Sequence, residues 1–117
     1  MKYLGTHVIL ELYGCPAELL QSPSEMERIM KEAAVACEAQ IVQSNFHHFS
    51  PLGVSGVVII QESHLTIHTW PEYGYAAVDI FSCGPIKLSA GIDYLSEQLA
   101  AQRQEVKYLQ RGAIGEL

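Results

Sequence analysis

Positive charge is scarce in this chain. Seven lysines and arginines stand against thirteen aspartates and glutamates, a formal net charge of -6. Lys2, Arg28, Lys31, Lys87, Arg103, Lys107 and Arg111 are scattered rather than clustered, which argues against nucleic acid as the main partner, because phosphate binding needs a basic stripe. A cationic or zwitterionic small molecule is compatible with that balance. Cysteine is sparse too. Cys15, Cys37 and Cys83 form neither an even set nor a C-x-x-C pair, so neither a disulfide framework nor structural zinc is expected, and the reducing cytoplasm is the expected compartment. No apolar run nears the roughly 20 residues needed to cross a bilayer, which sets a membrane aside. The opening MKYLGTHVILELYG breaks its apolar stretch with polar residues, unlike a signal peptide, and reads as mature sequence. No linker or low-complexity tract is present. With 49% of 117 residues hydrophobic, a single domain over 1–117 with one core is expected.

Residues 3–13 alternate, with Leu4, Val8, Leu10 and Leu12 on one face and Tyr3, His7, Ile9, Glu11 and Tyr13 on the other, the period of a strand. Ser22-Pro23-Ser24-Glu25 reads as a capping box with proline at the first helical position. Met26, Ile29, Met30, Ala33, Ala34 and Cys37 then predict a helix to about Glu38. Strands follow over 40–49, 54–61, 65–70 and 75–82, with a turn at 71–74 and a break at Cys83-Gly84-Pro85. Leu88, Ile92, Leu95 and Leu99 mark a second helix weakened by Gly91, and 104–109 a last strand before a polar tail. This order predicts an α+β fold, a two-layer α/β sandwich whose mainly antiparallel sheet has two helices on one face. The aliphatic strand positions would form the dry face beneath those helices. The other face would carry His7, Glu11, Ser55, His64, His68, Trp70, Tyr75, Asp79, Phe81 and Cys83. That surface is too aromatic for water and too polar for a core, so it should meet a ligand or a second subunit.

The densest chemistry lies between residues 46 and 84. Ser63 falls at or beside the turn between the third and fourth strands, and an even turn length would set Ser55 near His68. Ordinary readings compete with a functional one: Ser63 as a turn residue, Cys83 as a buried thiol. His64 and His68, four residues apart on a strand, are about 13 Å apart and could not share one ion, so no metal site is expected. No G-x-S-x-G elbow is present, and Gly53-x-x-Gly56 is too little for a phosphate loop.

The run Glu62-Ser63-His64-Leu65-Thr66-Ile67-His68-Thr69-Trp70-Pro71-Glu72-Tyr73-Gly74-Tyr75-Ala76, followed by Asp79 and Cys83-Gly84, resembles the short bacterial and archaeal type of S-adenosylmethionine decarboxylase proenzyme. The likeness runs from Tyr3 to about Cys83 and loosens beyond Gly84. It implies a covalent pyruvoyl cofactor made from Ser63 by self-cleavage between Glu62 and Ser63, which gives a β chain 1–62 and an α chain 63–117. Ser55 would hydrogen-bond the cleavage intermediate and His68 would remove the α proton of residue 63. The pyruvoyl group would join the substrate amine as a Schiff base and act as electron sink, with Cys83 returning a proton. Phe49 would stack on adenine, Trp70 would form a second wall and Glu72 would hold the ribose hydroxyls. The implied product is the aminopropyl donor of spermidine synthesis. Three features depart from the family's pattern: His48, where a cation is common, Gln61 before Glu-Ser-His, and Pro85-Ile86 in place of an acidic residue after Cys-Gly. Two other functions stay open, a pyruvoyl decarboxylase of ornithine or arginine and a non-catalytic regulatory paralogue.

Spacing adds an argument of its own. Ser63 and His68, five residues apart, are about 16 Å apart on an extended strand, too far for proton transfer within one chain. A homodimer in which Ser63 and Cys83 face the mate's Ser55 and His68 would complete two sites. That agrees with the α-β-β-α dimer the resemblance implies.

Overall fold

A computed structural model describes residues 2–117. Among these described residues the chain runs β1 (Tyr3–Tyr13), α1 (Ala17–Leu20), α2 (Pro23–Ala36), β2 (Ile41–His48), β3 (Val54–Ile60), β4 (Ser63–Trp70), a 3-10 turn (Pro71–Tyr73), β5 (Tyr75–Ser82), α3 (Leu88–Gln98), β6 (Arg103–Ala113) and a closing 3-10 turn (Ile114–Glu116). One antiparallel sheet takes the strands in the order β2-β3-β4-β5-β1-β6. Helices α2 and α3 pack together, α2 over β2, β3 and β4 and α3 over β1. The α+β two-layer architecture expected from alternation is the one that forms. Among the described residues no helix is long and apolar enough to cross a membrane.

Period-2 alternation produces the layering. Val8, Leu10, Leu12, Val54, Val58, Ile60, Leu65, Ile67, Val78 and Ile80 are all buried and share one cluster with Met26, Ile29, Met30 and Ala33 of α2 and Ile92 and Leu95 of α3. Each large aliphatic buried this way contributes about 1.5–3 kcal/mol. Leu4 departs from the expected dry face. It is 55% exposed, because the buried cluster begins at Val8, two positions inside β1 from Thr6.

Local signals fare unevenly. Ser22 Oγ accepts from the Glu25 N–H at 3.2 Å with Pro23 at the first turn, but only half of the capping box forms. The Ser22 N–H already donates to the Leu19 carbonyl of α1, a one-turn helix that lacks a periodic apolar signal. The Glu25 carboxylate pairs instead with Arg28 at 2.6 Å. Helix α2 stops at Ala36 rather than 38, where Glu38 turns left-handed at φ 61°. Gly91 does more than weaken α3. A Cβ there would stand 2.3 Å from Cys37 Sγ, so its bareness lets α3 close onto the end of α2. Strand β6 extends to Ala113, absorbing part of the expected tail, since β1 offers backbone partners along its whole length.

Candidate functional site

The β3–β4 hairpin closes through Gln61 and Glu62 alone, because Ile60 pairs with Ser63. Ser63 is the first residue of β4, and its φ of 152° is a positive value that a residue with a Cβ rarely adopts. Such a conformation costs about 1–3 kcal/mol and persists only where the surroundings impose it. Here they do. The Gln61 N–H donates to the Gln40 carbonyl at 2.9 Å and the Cys83 N–H to the Glu62 carbonyl at 2.8 Å. The Gln40 N–H reaches Glu62 Oε1 at 3.3 Å, and Ser63 pairs with Ser82 of β5. The peptide joining 62 and 63 thus carries a donor on its carbonyl oxygen, a polarisation that favours attack at its carbon. Cys83 is exposed, which overturns its reading as a buried thiol. The buried thiols are Cys15 and Cys37, both pushed up by burial, Cys15 to about 11.

A second group forms further along the same hairpin. Ser55 pairs with His68, and Ser55 Oγ meets His68 Nδ1 at 2.8 Å, as an even turn length requires. Around them a cavity of about 250 Å³ is lined by Phe49, Leu52, Ser55, His68, Trp70 and Glu72. Phe49 and Trp70 are nearly half exposed, at 48% and 42%. Their placement is specific. The Phe49 N–H donates to the Gly53 carbonyl at 2.8 Å to close the β2–β3 turn, and Gly53 takes φ 107°, which glycine tolerates. The His47 ring packs edge-on against Phe49 at 4.6 Å, and Trp70 lies 5.3 Å from the Tyr75 ring. Glu72 is exposed on the 3-10 turn after β4.

The structure therefore gathers Ser55, His68, Phe49, Trp70 and Glu72 at one place and Glu62, Ser63 and Cys83 at another. Along β4 the two places are five residues apart, about 16 Å at strand rise. His68 lies on the face it shares with His64 and Thr66, while Ser63 stands half-buried at the irregular start of β4.

Several supporting residues escaped the reading of the sequence. Thr69 is buried among aliphatic neighbours. Its hydroxyl accepts from the Val54 N–H and donates to the Leu20 carbonyl, both at 2.9 Å, fastening the cavity floor to α1. A lone hydroxyl at a dry-face position of β4 was the available signal. Gln21 clasps the 50–53 loop through Gly53 N–H and the Pro51 carbonyl, each at 3.2 Å. On the open sheet face Glu11 accepts from Tyr75 Oη at 2.6 Å and Tyr13 Oη at 3.4 Å, and His7 meets Asp79 at 2.9 Å. Burial first, then the Glu11 hydrogen bond and charge, raise the Tyr75 phenol above its ordinary value. None of these pairs could be seen before the register was known.

A strained serine at a hairpin end, a serine–histidine pair on adjacent strands and a cavity of about 250 Å³ beside it define a class: small α+β proteins whose open sheet face carries polar and aromatic side chains. Comparison narrows the class. Residues 6–112 match the family model described as S-adenosylmethionine decarboxylase. The S-adenosylmethionine decarboxylase proenzyme of Thermosipho africanus is 52% identical, spanning 100% of this chain and 91% of its own length. That of Thermotoga petrophila is 49% identical with the same coverage. The crystal structure of the adenosylmethionine decarboxylase from Aquifex aeolicus superposes with a TM-score of 0.89 at 34% identity, covering 97% of this chain and 94% of that one. The Trypanosoma brucei enzyme, at 16% identity and TM-score 0.64 over 86% of this chain and 44% of its own, shares the fold. This chain belongs to the S-adenosylmethionine decarboxylase family.

Proposed function

We propose that the protein cleaves itself between Glu62 and Ser63, keeps a pyruvoyl group at residue 63, and decarboxylates S-adenosylmethionine to the aminopropyl donor used in spermidine synthesis. The observation that carries this reading is the Cys83 N–H on the Glu62 carbonyl beside a Ser63 held at φ 152°. Ser63 Oγ attacks the Glu62 carbonyl carbon, the C–N bond breaks as the hydroxyl proton passes to the amine, and an ester replaces the amide. The Cys83 amide stabilises the oxygen that becomes negative on the way. A base then removes the α proton of residue 63 and the Glu62 carboxylate leaves, so that 1–62 and 63–117 separate. Water and loss of ammonia complete the keto terminus.

His68 is the base in this proposal and Ser55 a hydrogen-bonding group for the intermediate. The strand distance that separates them from Ser63 is bridged by a homodimer, in which Ser55 and His68 of the partner subunit face Ser63 and Cys83. The aromatic and charged face that the helices leave uncovered supports that assembly. A residue-63 keto group fits its surroundings, since the serine that stands there under strain carries the β-oxygen on which the ester forms and from which elimination releases the upstream chain. Once formed, the pyruvoyl group supplies an electron sink for loss of carbon dioxide, as pyridoxal phosphate does elsewhere. This chain's residues do the rest. Phe49 stacks on adenine with Trp70 as second wall, Glu72 accepts from the ribose hydroxyls, and Cys83 returns a proton to the substrate's α carbon. A sulfonium against these aromatic faces gains about 0.5–2 kcal/mol. The three free thiols support a cytoplasmic setting.

Mass measurement under denaturing conditions tests the reading. Freshly purified protein is expected to resolve into 1–62 and 63–117, the second carrying a carbonyl that borohydride reduces, and to release carbon dioxide from S-adenosylmethionine. A chain that stays whole with an ordinary Ser63 sinks it. Faster release from ornithine or arginine would transfer the same chemistry to another substrate, against the Phe49, Trp70 and Glu72 cavity.

A further inference from the structure

The Cys83 amide bond to the Glu62 carbonyl continues the β4–β5 ladder one pair beyond Ser63 and Ser82, at the point where the chain bends out of β5, and one side chain holds that bend. Ser82 is 4% exposed, opposite Ser63 in the register and opposite Thr6 of β1. Its hydroxyl donates to the Gly84 carbonyl at 2.9 Å and accepts from the Gly84 N–H at 3.1 Å. Cys83 is the residue spanned by this loop from the Ser82 side chain to the Gly84 backbone. Gly84 in turn lies against the Glu62 side chain, where an added Cβ would be 2.9 Å from Cγ. A buried polar group placed in an otherwise aliphatic layer carries a desolvation cost that needs compensation by such bonds. An alanine would fill the space without that cost.

We infer that Ser82 is a positioning residue for self-cleavage: its hydroxyl ties the Cys83–Gly84 turn so that the Cys83 N–H points at the Glu62 carbonyl oxygen and the thiol faces outward. The inference rests on the cleavage proposed above and concerns its first step. Ser63 Oγ forms its bond to the Glu62 carbonyl carbon while the C–N electrons take up the hydroxyl proton, and the carbonyl oxygen needs a fixed donor throughout. Without the Ser82 tether that donor swings, and the ester forms slowly. The later elimination, which needs only the α proton of residue 63 and a base, is left intact.

Freshly synthesised wild type, Ser82→Ala, Ser82→Thr and Ser82→Cys chains, kept reduced, are followed by mass with and without hydroxylamine, a nucleophile that cuts esters and leaves amides. Ser82→Ala is expected to cleave about tenfold more slowly, the order of one lost hydrogen bond. Ser82→Thr should return to within about threefold of wild type, and hydroxylamine should not rescue Ser82→Ala because little ester accumulates. Ser82→Cys keeps the volume with a weak donor and should be slow too, which decides the matter if Ser82→Ala melts below the assay temperature. Wild-type rates in both Ser82→Ala and Ser82→Cys would overturn the inference, as would equal slowing in Ser82→Thr or release of fragments by hydroxylamine. A wild-type chain that never cleaves defeats the function itself rather than this role.

Discussion

At residue 72 a carboxylate stands exposed at the rim of the cavity, and in the proposed function its two oxygens accept the ribose hydroxyls. Glu72→Gln keeps the shape and halves the acceptors, so KM for S-adenosylmethionine should rise about tenfold with kcat nearly constant, as when binding is lost equally in ground and transition states. Steady-state carbon dioxide release checks this, and an equal fall in kcat would place Glu72 in the chemistry instead. Tyr75 gives a pH prediction. Its phenol is raised in the folded chain by burial and by Glu11, so the folded state resists ionisation that the unfolded chain accepts near its ordinary value of 10.0. The stabilisation is complete below that pH and is lost as pH rises past it. Melting temperatures should fall more steeply above pH 10 in the wild type than in Tyr75→Phe, where no phenol titrates. Identical slopes would remove the phenol as the cause.

The decisive contacts between elements are close ones. Helix α3 meets the end of α2 where Gly91 leaves room for the Cys37 sulfur. Gly91→Ala would gain helix propensity of about 1 kcal/mol but force a Cβ into that sulfur, and overpacking of this kind costs about 1–3 kcal/mol. A net loss of stability is expected in urea titrations, with self-cleavage unchanged because the β3–β4 hairpin lies elsewhere. A more stable variant would mean that the helices separate freely. Thr69 joins β4 to α1 through its buried hydroxyl. Replacing it by valine leaves the Val54 N–H unsatisfied, and a buried donor without a partner costs about 1–3 kcal/mol. The loss should appear both in melting temperature and in KM, since the cavity floor loosens with it.

For the whole molecule the open question is how the two groups of site residues meet. Ser63→Ala and His68→Ala proenzymes should each stay uncleaved alone. Mixed after verified subunit exchange, they should cleave up to half of the His68→Ala chains, because a mixed dimer joins one intact Ser63 to one intact His68. No cleavage after exchange would place the whole site within one protomer.

Alternation over β1, β3, β4 and β5 was enough to reveal the sheet, its dry face and the Ser55–His68 pair, since strand period and turn parity are local properties that short-range sterics impose. The run from Glu62 to Ala76 made the family readable from the sequence alone. What folding alone decided was long-range. The Tyr75–Glu11 bond and the place of Ser82 beside Thr6 join β5 to β1, strands far apart in the chain whose pairing no local pattern specifies. The extent of β6 and the need for Gly91 likewise came from partners distant in the chain. Hydrogen bonds between strands depend on register and on how closely the layers approach, and both are set only when the core closes.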